Sequence, residues 1–155
     1  MQRAIIGFHQ DEVGDWVAEL ACGHGQHVRH KPPFFSRPWA TTVEGRDGML
    51  GSKLPCVLCD RFELPTGFAP YKRTADFDQA SIPAGLLRDH STKAGVWGVI
   101  HVLAGRLHYI VEPPLAGEHV LEPATPGIVV PEVLHRVAPL GDVQFFVEFH
   151  RRAST

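Results

Sequence analysis

The chain has 155 residues, 44% of them hydrophobic and 21% charged, with a formal net charge of -2. That is enough for one ordinary core or two small ones, and it excludes a disordered chain or a strongly basic tail for an acidic partner. No apolar run approaches a membrane span, and the opening MQRAIIGFHQDE is too briefly apolar for a signal peptide, so a cytoplasmic protein without a membrane partner is expected.

AIIGFHQ reads as a strand, DEVGD as a hairpin turn and WVAELAC as the returning strand. CGHGQHVRH follows, from Cys22 to His30, with one cysteine and three histidines. The prolines of KPPFFSRPW forbid regular structure. TTVEGRDGML is a short helix, with Thr41 and Glu44 fitting a capping box and Gly51 a C-terminal stop. PCVLCD then supplies a Cys-x-x-Cys knuckle.

The three cysteines, Cys22, Cys56 and Cys59, all lie in the first 60 residues. An odd count in a reducing compartment suits a metal site better than a disulfide framework. Zinc takes four ligands in a tetrahedron, usually thiolate and imidazole. Cys56 and Cys59 form one pair on a tight turn, and Cys22 with a nearby histidine the other. The fourth ligand is His24, with His27 as the alternative; His30 is a strand or surface residue. A small unit has a thin core, so a structural zinc would supply much of its folding free energy. A redox Cys-x-x-Cys would need a helix N-terminus, usually in a βαβ context, and this knuckle follows a short helix. Three buried free thiols are the remaining alternative. Residues 1–60 carry seven acidic residues against six basic ones, so the electrostatic footprint of a phosphate-binding surface is missing, apart from a local patch of Arg29, Lys31 and Arg37.

LPTGFAPYKRT, with two prolines and a glycine, marks the boundary between two units, 1–63 and 64–155. From Ala84 on, short strands alternate with glycine and proline. GVWGVIHVLAG and RLHYIVE are two β-rich runs joined around Ala104 and Gly105, EHVLEP is a short strand, and PGIVVPEVLHRVAPLG and DVQFFVEFHR complete the series. With no convincing helix, this predicts a sandwich or small barrel. On the last strand Phe145, Val147 and Phe149 share the core face. Glu148 is costly to bury among phenylalanines unless paired or bound to metal, which makes it a candidate to line a cavity.

CGHGQHVRHKPPFF, RPWATT and CVLCDR together resemble a small bacterial domain of unknown function over roughly residues 1–61. VLAGRLHYIV followed by PGIVVPEVLHRV resembles a cupin. The nearest branch is the TehB/YeaR-like type, named for tellurite-resistance proteins, and YKRTADFD, IPAGLLRDHSTKAGVWG, VPEVLHRV and FFVEFHR carry that resemblance over roughly residues 65–152. The expected fold is therefore mainly β: a C-terminal cupin (a double-stranded β-helix or jelly roll) after a small zinc-ribbon-like hairpin module. The resemblance also implies a metal or small-anion pocket in the barrel. Of the cupin metal motifs, the second survives as Pro131 followed by His135. The first is reduced to Asp89-His90, with Trp97-Gly98 where its glutamate would stand.

His90, His135 and Glu148 then form the candidate barrel site. Two histidines and one carboxylate would make a facial triad with open positions, suited to zinc, iron, nickel or manganese. The motif assigns no ligand role to His101 or His108, and His9, His119 and His150 are expected to be solvated. The resemblance implies a role in tellurite or related oxidative or metal stress. Two other readings compete: a metal-dependent enzyme holding a small anionic substrate with Arg88 and Arg106, and a non-catalytic sensing or docking module. No glycine-rich nucleotide motif occurs, so methyl transfer is not expected. A homodimer through sheet edges, the habit of many cupins, or a close packing of the first unit on the barrel is expected.

Overall fold

In the computed structural model, which describes residues 1–154, β-strands dominate and the chain divides into two units, Met1–Leu58 and the remainder from Cys59. The division falls inside one helical turn, Val57–Asp60, so the linking segment is itself ordered backbone.

The first unit is a four-stranded sheet in the order β3-β2-β1-β4, formed by β1 (Gln2–Gln10), β2 (Trp16–Leu20), β3 (Gly25–His27) and β4 (Lys53–Pro55). DEVGD makes the turn between β1 and β2: the Asp11 carboxylate accepts from the backbone N–H groups of Val13 and Asp15, at 3.0 and 2.9 Å. β1 is central, pairing antiparallel with both β2 and β4. Ile5, Val17, Ala18, Leu20 and Val28 form the core of this unit. Helix α1 (Val43–Gly48) is capped by Thr42, whose hydroxyl accepts from the Gly45 N–H at 3.0 Å. The expected cap, Thr41, instead ends a 3-10 turn and donates its hydroxyl to the Pro38 carbonyl at 2.7 Å. The two adjacent threonines cannot be told apart by type alone. The proline-rich loop also holds more order than its composition suggests, because Lys31 and Phe35 exchange backbone bonds of 2.8 and 2.9 Å. Helix α2 (Val57–Asp60) is the knuckle.

The second unit is a six-stranded antiparallel sheet with the path β5-β10-β7-β8, to which β6 adds on β10 and β9 on β7. The strands are β5 (Phe68–Arg73), β6 (Phe77–Asp78), β7 (Trp97–Val111), β8 (Gly117–Leu121), β9 (Gly127–Val129) and β10 (His135–Arg152). Two expectations are corrected. The proline-containing stretch at the expected boundary, before the strands read from Ala84 on, carries β5, which pairs with the end of β10 from Glu148 to Arg152. The two runs around Gly105 form one strand, β7, paired along β10 from His135 to His150.

Both long strands bend together. The register slips between Pro139 and Val143, opposite Gly105, whose φ is +78°. A Cβ at Gly105 would run into the Asp142 carbonyl, so glycine lets the two backbones cross the bend. On one side of it β8 covers the Leu107–Val111 end of β7; on the other, β9 covers Gly98–Ile100. Side chains from both halves, including Trp97, Ile100, Leu107, Tyr109, Val129, Val137 and Phe145, fill the core. Each such aliphatic or aromatic side chain contributes roughly 1.5–3 kcal/mol by leaving water.

Candidate metal centre

Two turns of the first unit meet because β1 pairs with the strand before each. β2 ends at Leu20, and Gly23 then closes a tight turn: its N–H donates to the Leu20 carbonyl at 2.9 Å, and the Leu20 N–H donates to the His24 carbonyl at 3.0 Å. Gly23 has φ +100°, a conformation that disfavours other residues. This turn carries Cys22 and His24. β4 ends at Pro55, opposite Gln2 of β1, and the Cys56 N–H donates to the Met1 carbonyl at 2.7 Å. One helical turn later stands Cys59.

The ligand atoms of Cys22, His24, Cys56 and Cys59 all lie within 4.8 Å of one another, and all four residues are buried. His24 presents Nδ1, which lies 3.4 Å from the Cys22 sulfur and 3.3 Å from that of Cys56. The Cys22 and Cys56 sulfurs are 3.9 Å apart, far beyond a disulfide bond. Zinc with Zn–S near ~2.3 Å and Zn–N near ~2.0 Å gives tetrahedral edges of roughly 3.8 Å between sulfurs and roughly 3.5 Å from sulfur to nitrogen. The three edges among Cys22, His24 and Cys56 match such a tetrahedron, and Cys59 supplies a fourth ligand atom within 4.8 Å of the others. The group can hold a metal ion, and its set of three thiols and one imidazole is consistent with zinc.

His27 is occupied elsewhere: its Nε2 lies 2.8 Å from an Asp11 carboxylate oxygen in an exposed pair. The Nδ1 of His30 accepts from the Arg37 N–H at 3.0 Å. The second side chain on the Cys22 turn, rather than either later histidine, reaches the thiols.

In the second unit, His90 and His135 do come together. The His90 N–H donates to the His135 carbonyl at 3.0 Å and the reverse bond is 2.9 Å, with ring centroids 4.1 Å apart. Both rings line a cavity of about 160 Å³, along with Leu86, Ile100, Val129 and Phe145. His135 is 4% exposed, and burial, opposed by its bond to the Val133 carbonyl and reinforced by neighbouring His90, pushes its imidazole down to about 4.

Glu148 is not with them, which corrects the expected triad. Its alternate neighbours Phe145, Val147 and Phe149 line the cavity, so core and cavity share one face of β10 and Glu148 lies on the other. There its carboxylate takes His150 Nε2 at 2.8 Å and His101 Nε2 at 3.4 Å. Burial alone would raise this carboxyl, but the bonds to His150 and His101 outweigh it and hold it below the usual carboxylate range. His150, expected to be solvated, is buried, and its Nδ1 has no hydrogen-bond partner among the described residues. Among the described residues no third metal-ligating side chain gathers with His90 and His135. Arg88 and Arg106 are exposed and do not line the cavity. Sequence reading missed the polar lining residues Thr74, Ser91 and Thr92, for which no signal exists in their residue types. No helix among the described residues is long and apolar enough to cross a membrane.

Comparison with known proteins follows this division. Residues 6–63 match a family described as a protein of unknown function, DUF3565. Residues 72–147 match the TehB-like domain. The chain is similar to the crystal structure of TehB from Haemophilus influenzae at 26% identity and a TM-score of 0.52, over 56% of this chain and 32% of that one. It thus spans about a third of the length of that TehB. A crystal structure of a protein from E. coli strain K12 is similar at 19% identity and a TM-score of 0.53, over 59% of this chain and 98% of that one, and speaks to fold alone. No curated protein matches the chain. The second unit is thus similar to the TehB-like domain over residues 72–147, and the stretch that matches DUF3565 carries a buried Cys/His group able to hold a metal ion.

Proposed function

We propose that this is a metal-binding TehB-like cupin protein whose first unit, residues 1–63, folds around a structural zinc. Residues 64–155 make the cupin, and the whole acts in a cytoplasmic response to tellurite or to oxidative or metal stress. The observation that carries the zinc reading is the convergence of the buried Cys22, His24, Cys56 and Cys59, whose ligand atoms lie within 4.8 Å of one another. With four protein ligands the ion has no open position for a substrate, so its role is to hold the fold. The stress role rests on the likeness of the second unit to TehB.

The barrel is proposed as a ligand-sensing site rather than a metal enzyme, because its two histidines lack the carboxylate a facial triad requires. A homodimer through the exposed edge of β8 is part of the same proposal. Elemental analysis of the purified chain tests the zinc reading: one zinc per chain is expected, and its full retention in Cys56→Ser overturns the assignment. Growth on tellurite tests the stress role. Cells producing the chain should tolerate more tellurite than cells without it, and equal tolerance contradicts the role.

A further inference from the structure

We propose that the cavity between the two halves of the second unit binds one small uncharged molecule, of single-ring size, whose hydrogen-bond donor is received by the imidazole Nε2 atoms of His90 and His135. The inference rests on reading this unit as a ligand-binding cupin, and it names the class of ligand.

Size comes first. The cavity measures about 160 Å³, and a cavity of roughly 150 Å³ lined by aliphatic and aromatic side chains accepts benzene. One ring fits; two fused rings with substituents do not.

Polarity comes next. No Asp, Glu, Lys or Arg is among the lining residues, which are mostly aliphatic or aromatic. An anion would lose its hydration there and meet no counter-charge. A divalent cation would find two nitrogens and no carboxylate.

The imidazoles give the direction of the hydrogen bond. His90 Nδ1 lies 2.9 Å from the Arg88 carbonyl and His135 Nδ1 lies 3.0 Å from the Val133 carbonyl. A carbonyl only accepts, so in each ring Nδ1 carries the proton and donates. In the neutral ring Nε2, at the opposite side, is then an acceptor. The low basicity of buried His135 keeps that ring neutral. Two acceptors side by side in an apolar chamber call for a partner that brings an O–H or N–H on an apolar body. Arg136 of β10 pairs with Asp89, next to His90, at 3.1 Å and with Glu112, after β7, at 2.6 Å, so the first pair ties the His90 segment to β10.

The test uses the full chain at pH 8 with phenol, benzene, benzoate and cobalt(II) as probes, followed by ligand-detected NMR and calorimetry. Phenol should bind saturably at one site per chain, benzoate at least about tenfold more weakly, and His135→Leu should weaken phenol about fivefold while leaving benzene unchanged. If His135→Leu does not fold, the imidazole nitrogen shifts of the unaltered chain decide: phenol must move His135 Nε2. Benzoate binding as tightly as phenol, cobalt displacing phenol, or neither phenol nor benzene binding overturns the proposal. None of these outcomes alters the zinc content of the first unit or the tellurite phenotype, so a failure here is distinct from a failure of the functional reading.

Discussion

His90 and His135 exchange both of their backbone hydrogen bonds while their rings sit 4.1 Å apart, so one short bridge sets the spacing of two imidazoles. Pro131 and the turn after it deliver His135 to the start of β10, and the bridge then pins the segment that carries His90.

Acid should weaken the second unit through His135. Its folded imidazole titrates at about 4 and the unfolded one near 6.5, so the unfolded chain binds the extra proton first. The contribution is complete above pH 6.5 and is lost as pH falls toward 4, on the order of 3 kcal/mol in all. Urea unfolding followed at a series of pH values should show this loss, and His135→Leu should flatten it. A pH profile unchanged by that substitution contradicts the prediction.

Cys59→Ser should release the metal and unfold the first unit, while the β-sheet of the second keeps its near-ultraviolet signal. Breaking one thiolate leaves three ligands and a buried hydroxyl in a unit with a thin core. Loss of both units together would show that their folding is coupled.

Thr42→Ala should cost the first unit about 1 kcal/mol, because it leaves the Gly45 N–H of α1 without its cap. Thr41→Ala removes only a hydroxyl bond to Pro38 in a 3-10 turn and should cost less. Chemical denaturation of the two variants compares them directly, and a larger cost at Thr41 would reverse the assignment.

Gly105→Ala should destabilise the second unit by more than about 1 kcal/mol. The residue has φ +78° and its added methyl would meet the Asp142 carbonyl of the facing backbone, which cannot swing aside as a side chain can. Thermal unfolding of the variant checks it; an unchanged midpoint would mean that the bend is not held by this glycine.

The sequence made the Cys/His group legible as a candidate metal centre because cysteine is chemically specific: three thiols near a histidine-rich turn leave few other uses. It could not choose between His24 and His27, since the choice depends on Gly23 turning the chain and on Asp11 capturing His27 across the hairpin. The strand pattern of the second unit was readable from its β-branched runs, but its glycines misled. Gly105 reads as a turn between two strands, whereas its left-handed φ bends one. The placement of Glu148 failed for a different reason. Alternation correctly put it opposite Phe145, Val147 and Phe149, yet nothing local reveals that the cavity lies on the phenylalanine side, because that is set by His90, Thr92 and Val129 arriving from elsewhere in the chain. His150 was misjudged because position near a strand or chain end suggests exposure, while in the fold it is buried, pairs with Pro70 of β5 and meets the Glu148 carboxylate.

The measurement closest to the central claim is X-ray absorption at the zinc edge of the purified full chain. Cys22, His24, Cys56 and Cys59 require a shell of three sulfurs near ~2.3 Å and one nitrogen near ~2.0 Å, with no water ligand. A shell with two or fewer sulfurs, or one dominated by oxygen, would contradict it.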